Sequence, residues 1–400
     1  MAAFTTTMQA GGARDRLLWL FAAALILLAG LQVWAMLRFE PVGMDFLPLW
    51  TAGRMTWTEP DKVYDFAKVT AAQAWLPQPH FTWPRPYAYP PTTLLLMAPL
   101  GRLPFWVATT GWTVLSLGAF LYACARLAGR RFAAVLAAAL PAVVIAATAG
   151  QTVVLASALI VLGVLELERR PRVAGVLFAI AAIVKPQAVI MAPVALLASG
   201  ALDALLTSGV VMAVAMTAST ILFGPGRWSD WLASLPAFQH VIESIPGLGS
   251  VMIAPFWVAR ELGLADVAAV AVAAVFALAS GWFTWIIFRS PADTVRRAGA
   301  LAVGGLLAAP YALDFDATLI APAAAGLAVA AFTRGRVLMA PLALAAALAV
   351  TFSNLGLPAL LAFAALVMVA PPAQPPLEPE RQTNGAEAGL SPIPRQRLSA

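Results

Sequence analysis

Leu17-Leu18-Trp19-Leu20-Phe21 opens an apolar run that continues to about Leu37, and Gly43-Met44-Asp45-Phe46 follows it within a few residues. The run matches the ~20 residues that a helix needs to cross the hydrocarbon of a bilayer. It is longer than the 7–15-residue core of a cleaved leader, and Arg14 and Arg16 stand just before it, so it reads as a signal anchor retained as the first helix. Asp45 then falls at a membrane boundary. It opens a polar, aromatic-rich loop that closes only at Tyr89-Pro90-Pro91.

Composition extends this reading to the whole chain. Of 400 residues, 61% are hydrophobic and 11% charged, against about 25% charged in a soluble domain. The apolar runs are continuous rather than alternating, which points away from a β-barrel. The expected class is an all-α polytopic membrane protein with about twelve spans (ten to fourteen). The net charge of +6 does not indicate nucleic acid, because the basic residues sit in short connections between apolar runs. Cys124 is the only cysteine, and His80 and His240 are the only histidines and lie far apart. An intramolecular disulfide is excluded, and a cysteine- or histidine-rich metal site has no support.

Candidate spans lie near 17–37, 105–127, 133–149, 152–166, 173–187, 188–201, 203–223, 265–288, 298–311, 317–333, 337–352 and 355–370. Several are short enough to require tilting or breaking. Loop 38–91 contains Asp61–Trp75, where Val63, Phe66, Ala67, Ala71 and Ala74 recur at helical spacing; this predicts an amphipathic helix on the membrane surface. Leu94–Leu100, punctuated by Pro99 and Pro104, predicts a re-entrant or interfacial turn, and 251–259 is a further short apolar segment. A membrane domain over 1–370 is followed by a Pro-, Gln-, Glu- and Arg-rich tail, 371–400, expected to be disordered and cytoplasmic.

With the N-terminus inside, the inner connections and termini hold 16 of the 25 basic residues, among them Arg126, Arg131, Arg169, Arg170, Arg172, Arg289, Arg296, Arg297 and Arg334. This positive-inside regularity predicts a cell-membrane protein with both termini cytoplasmic. It puts loops 38–91 and 224–264, Gly150-Gln151, Lys185 and Asp314-Phe315-Asp316 on the outer face.

Those outer residues are the candidates for chemistry. Asp45 is placed to act as a general base or to hold an acceptor hydroxyl; a solvated loop aspartate or an N-cap for a helix over 46–57 fits the spacing as well. Lys185, beside the helix-breaking Pro186, either snorkels to the interface or binds a lipid phosphate, with Gln151 at the same depth. Asp314 and Asp316 either contact substrate hydroxyls or cap the next helix; one carboxylate pair is weak support for a divalent metal. In Phe81–Pro91, Tyr89 and its aromatic neighbours suit sugar stacking or a membrane interface, and Arg85 suits a phosphate. Trp228-Ser229-Asp230-Trp231 and His240 share that ambiguity. No phosphate-binding glycine loop, zinc-protease helix or nucleophile elbow is present, so a nucleotide-dependent donor is not expected.

Met44-Asp45-Phe46, Trp50-Thr51-Ala52-Gly53, Val63-Tyr64-Asp65, Tyr89-Pro90-Pro91 with Pro99-Leu100, Trp112, Gly150-Gln151, Ala174-Gly175, Lys185-Pro186-Gln187, and Pro310-Tyr311 with Asp314-Phe315-Asp316 occur in that order over about 40–320. In this order the chain resembles glycosyltransferase family 87, the polyprenol-phosphate-mannose-dependent type with the GT-C fold. The resemblance implies a polyprenyl-phosphate sugar donor, usually mannose, used on the outer side with inversion at the anomeric carbon. It assigns the base to Asp45, and it leaves the glycolipid or glycan acceptor unnamed. Lys185 and Arg85 are the expected phosphate contacts, with Gln151, Tyr89, Asp314 and Asp316 around the substrate. Some related enzymes carry an Asp-Glu pair in the first outer loop, where this chain has the single Asp45. No metal and no other cofactor is expected, and besides donor and acceptor only membrane lipids are expected as partners. A lipid-linked sugar flippase or transporter is the rival; such proteins tend to show internal repeats and midplane charges, whereas the polar residues here gather at one face.

Overall fold

A computed structural model describes residues 2–39, 41–76, 85–129, 131–334, 339–351 and 355–369, with side chains in the first helix from Leu20 and Ala22 onward. The expected tail, His80 and the Phe81–Pro84 part of the aromatic cluster lie outside the described residues. Among the described residues the chain is almost wholly helical and has no strand; one antiparallel bridge joins Met252 and Leu313.

The first helix, α1 (Ala2–Phe39), leads into α2 (Leu47–Thr58), α3 (Phe66–Ala72) and α4 (Pro91–Leu100). Next come α5 (Phe105–Ala128), α6 (Arg131–Ala138), α7 (Pro141–Ala149), α8 (Val153–Glu166), α9 (Pro171–Val184), α10 (Ala192–Ala198) and α11 (Leu202–Phe223). The rest of the described chain forms α12 (Gly226–Ser244), α13 (Pro255–Glu261), α14 (Asp266–Arg289), α15 (Thr294–Ala308), α16 (Ala321–Thr333), α17 (Met339–Ala349) and α18 (Gly356–Val369). Proline stands in the first turn of α2, α4, α7, α9, α10, α13 and α16, where its missing N–H and fixed φ do no harm.

Among the described residues four helices are long and apolar enough to cross a bilayer: Ala22–Phe39 within α1, α5, α11 and α14. The pair α6–α7, bent by 73°, makes a fifth if it counts as one span. The other apolar helices are shorter. At 1.5 Å per residue, the 14 residues of α8 or α9 cover about 21 Å of a hydrocarbon layer ~30 Å thick. A count near twelve therefore requires several of these to span in tandem or with the bilayer thinned.

The long helices expose their apolar side chains, including Val210, Val214, Leu222, Val267, Leu278 and Trp282. The interior around α15 and α16 is rich in small residues instead. In α16 the ten buried positions are Ala321–Val329 and Phe332, and in α15 nearly every residue from Ala298 to Leu307 is buried. Small side chains let helix axes approach closely, which is how packing rather than hydrophobicity holds a bundle in lipid.

Loop 38–91 is more structured than the spacing suggests. The Asp61–Trp75 segment is a short 3₁₀ turn, Pro60–Lys62, followed by the seven-residue α3. Its buried residues are Val63, Tyr64, Val69, Gln73 and Leu76, while Ala67, Ala71 and Ala74 are exposed. The buried face is thus not the alanine face. It is turned toward α2 and the 85–90 segment. The predicted turn at Leu94–Leu100 is the helix α4, and 19 residues of loop 224–264 form α12.

Candidate active site

Asp45 is positioned by the end of α7. That helix closes on Gly150 at φ +76°, and the Gln151 N–H bonds to the Ala146 carbonyl at 2.8 Å. A left-handed glycine with this hydrogen bond satisfies the orphan carbonyls of a helix end. The Thr148 and Ala149 carbonyls are capped from outside: Gly43 N–H donates to Thr148 and Asp45 N–H to Ala149, both at 2.9 Å. The Gly43–Phe46 turn thereby rests on the end of α7, with Gly43 itself at φ +82°. A β-carbon at Gly150 would stand 2.8 Å from that of Phe46, so a larger residue would push the two segments apart.

The two segments deliver their side chains to one place. Gln151 Nε2 donates to Asp45 Oδ2 at 2.8 Å, and Arg85 Nη1 donates to Asp45 Oδ1 at 2.5 Å. The Asp45 side chain is 26% exposed and that of Arg85 15%. Asp45 does not cap α2; its N-cap is Phe46, without a side-chain hydrogen bond. Nor is Asp45 a free loop carboxylate. Its two oxygens hold one charged and one neutral donor, and the side chain remains partly open to solvent.

Arg85 begins an extended segment, 85–90, that is tied down along its length. Gln73 Nε2 donates to the Arg85 carbonyl (2.9 Å), Trp231 Nε1 to that of Ala88 (3.0 Å) and the Tyr64 hydroxyl to that of Tyr89 (2.9 Å). The Tyr89 hydroxyl meets Thr152 Oγ1 at 3.0 Å, one residue beyond Gln151. Tyr64, Tyr87 and Tyr89 stack in sequence with ring centroids 5.6 and 5.8 Å apart.

Lys185 does not snorkel. It lies at the break after α9, and its Nζ is 2.6 Å from Asp316 Oδ1, the two side chains being 4% and 1% exposed. Asp316 also caps its own turn, because its Oδ2 accepts from Leu313 N–H at 3.1 Å. Of the readings of this aspartate, the local cap is the one seen; the buried ion pair with Lys185 is an addition that the spacing did not suggest. Asp314 accepts from Phe315 N–H at 2.7 Å. Burial pushes its carboxyl up to about 6, with the negative charges of Asp316 and Asp45 acting in the same direction.

All seven expected residues therefore stand at one end of the bundle. Direct contacts join Asp45, Arg85 and Gln151, and separately Lys185 and Asp316. The fields of Lys185, Asp316 and Asp45 all reach Tyr89. Tyr311 completes the group. Its hydroxyl is pushed well above the ordinary phenol value by burial and then by Asp316, Asp45, Tyr89 and Asp314, leaving a protonated donor among carboxylates. Among the described residues no group of three or more acids, histidines or cysteines is arranged to hold a metal ion.

Loop 224–264 contributes the roof. In α12, Trp231 reaches the Ala88 carbonyl, and Phe238 packs edge-on against Tyr311 at 5.6 Å. Arg227 ties the start of the helix to Asp61 and Asp230, each at 2.9 Å. His240 is 81% exposed beside Glu243. Sequence reasoning missed Thr152, Gln73 and Tyr311 as site residues. The composition of 224–250 reads as a polar loop; the recurrence of Trp231, Ser234, Phe238 and Ile242 at helical spacing is the signal that could have found α12.

The sequence model of glycosyltransferase family 87 matches residues 87–310, more than half of the chain. No curated protein and no solved structure matches it. The matched span holds Tyr89, Gln151 and Lys185; Asp45, Arg85, Asp314 and Asp316 flank it.

Proposed function

Since the chain belongs to glycosyltransferase family 87 and is a helical membrane glycosyltransferase with a sugar donor and an acceptor, we propose that it transfers a hexose, mannose in the first instance, from a polyprenyl-phosphate sugar. The acceptor is a hydroxyl of a glycolipid or glycan on the outer face of the cell membrane. The observation that carries this reading is the Asp45 carboxylate, gripped by Arg85 and Gln151 and still about a quarter exposed.

The chemistry is a single displacement. The acceptor oxygen attacks the anomeric carbon, the bond from that carbon to the phosphate oxygen breaks, and its electron pair leaves on the phosphate. The acceptor proton passes to Asp45, which works as general base. Inversion follows, and no covalent enzyme intermediate is needed. Arg85, already beside Asp45, is placed to pass from the carboxylate to the donor phosphate with its fork of N–H groups. Lys185 adds positive charge deeper in the site, balanced by Asp316, and Tyr89 and Tyr311 offer rings and hydroxyls to sugar.

The test is transfer of label from a radiolabelled polyprenyl-phosphate mannose to membrane lipid extract by the purified protein. Wild type forms a new labelled glycolipid or glycan, and Asp45→Asn forms none while keeping its melting midpoint. Full activity in Asp45→Asn removes the base assignment; no transfer by wild type removes the donor class.

A further inference from the structure

Away from Asp45, at the far end of α2, the surface carries two arginines with no carboxylate against them. Arg54 lies on α2 and Arg102 follows α4, and both are exposed. Their backbones are adjacent, since a side chain at Gly101 would collide with the Arg54 backbone. The Arg102 guanidinium lies 3.6 Å from the centre of the Trp57 ring, and that of Arg54 is 5.5 Å from Trp50. The rings are fixed in turn. Trp57 Nε1 donates to the Ala98 carbonyl at 2.7 Å and Trp50 Nε1 to that of Leu103 at 3.0 Å. Among the described residues neither arginine makes an ion pair. An aromatic face orients a guanidinium but does not neutralise it, so two preoriented positive charges stay open to an anion.

The surroundings say which kind of anion. Arg102 sits three residues before α5, one of the helices long enough to cross a bilayer, which sets the patch at headgroup depth. Trp57, Trp75 and Trp106 are each about half exposed around it, and Val107 and Val114 continue the exposed apolar face down α5. Half-exposed tryptophans at the end of a spanning helix mark the bilayer interface, and planar guanidinium forks match phosphate oxygens. We infer that Arg54 and Arg102 form a docking site for the phosphate of an anionic phospholipid, whose acyl chains lie along Val107 and Val114. This site is separate from the sugar-transfer site and does not depend on which donor is used there.

The test is native mass spectrometry of the full-length protein from neutral detergent micelles doped with phosphatidylglycerol or phosphatidylcholine. Wild type is expected to retain phosphatidylglycerol in preference to phosphatidylcholine. The Arg54→Gln/Arg102→Gln protein should bind it about thirtyfold more weakly, from about 1 kcal/mol for each basic residue near a lipid surface. Arg54→Lys/Arg102→Lys should fall between, keeping charge but not the fork. Arg126→Gln/Arg170→Gln, an equal charge change elsewhere on the surface, should bind as wild type does. Melting curves confirm that each variant is folded, and the single Arg54→Gln protein replaces the double if that one is not. The inference is overturned if wild type retains both lipids equally, if the Arg126/Arg170 control loses as much as the Arg54/Arg102 variant, or if millimolar inorganic phosphate displaces the lipid, which would make the site one for a free anion.

Discussion

Lys185→Met offers the sharpest test of how the site is built. The ammonium stands 2.6 Å from Asp316, and both side chains are almost wholly enclosed. At that distance an effective dielectric of ~20 gives an attraction of about 6 kcal/mol, much of it offset by the cost of removing two charges from water. Deleting one partner forfeits the attraction and leaves the other charge enclosed, which costs about 3–5 kcal/mol. Lys185→Met should therefore lower the unfolding midpoint in mild detergent strongly. Adding Asp316→Asn removes the stranded charge while its amide oxygen still accepts from Leu313 N–H, so the double variant should regain most of the loss. A double-mutant cycle on melting midpoints reads the coupling. The same folded double variant then isolates the role toward donor: its Michaelis constant for donor should remain raised while that for acceptor stays near wild type. A Lys185→Met protein as stable as wild type refutes the structural half of this reasoning. A recovered double variant with unchanged donor dependence refutes the functional half.

Gly150→Ala must adopt a left-handed backbone and place a β-carbon 2.8 Å from that of Phe46; a loss of about 2–4 kcal/mol is expected in melting experiments, with transfer falling as Gln151 and the Asp45 turn separate. Asp314, raised from 3.8 to about 6, keeps a proton in the folded protein that the unfolded chain has already lost between these values. Stability should accordingly decline by about 2 kcal/mol as pH rises from about 4 to 6 and level off above, and Asp314→Asn should flatten that slope in melting midpoints measured across the range. Trp231→Phe keeps the ring but deletes the hydrogen bond to Ala88, so it should cost about 1 kcal/mol of stability and lower the transfer rate more than this loss implies, because the 85–90 segment holds Arg85 against Asp45.

The membrane class was legible because it depends on composition; of the expected spans, four or five are long apolar helices among the described residues, and the other apolar runs are too short to cross alone. The gathering of polar residues at one end was legible for a related reason: charge at a helix end costs far less than charge at mid-bilayer. What the spacing does not contain is the pairing. Asp45 and Gln151 are 106 positions apart, and the only local sign of their meeting is a glycine on each side of the contact, Gly43 and Gly150, both at positive φ. Lys185 could have met any of the acids in the loops. It meets Asp316 because the bundle brings the break after α9 against the turn before α16. The alanine face of α3 misled for a different reason. Alanine is tolerated in either environment, so its spacing carries little weight against Gln73, whose amide is needed by the Arg85 carbonyl. In the same way α15 and α16, more than half Ala, Gly and Thr, offer few distinctive knobs to fix their depth against neighbours. The enclosed Lys185–Asp316 pair and the Leu313 cap supply directional contacts there. That is why losing the charge on one side should disturb packing as well as chemistry, and why the double variant separates the two.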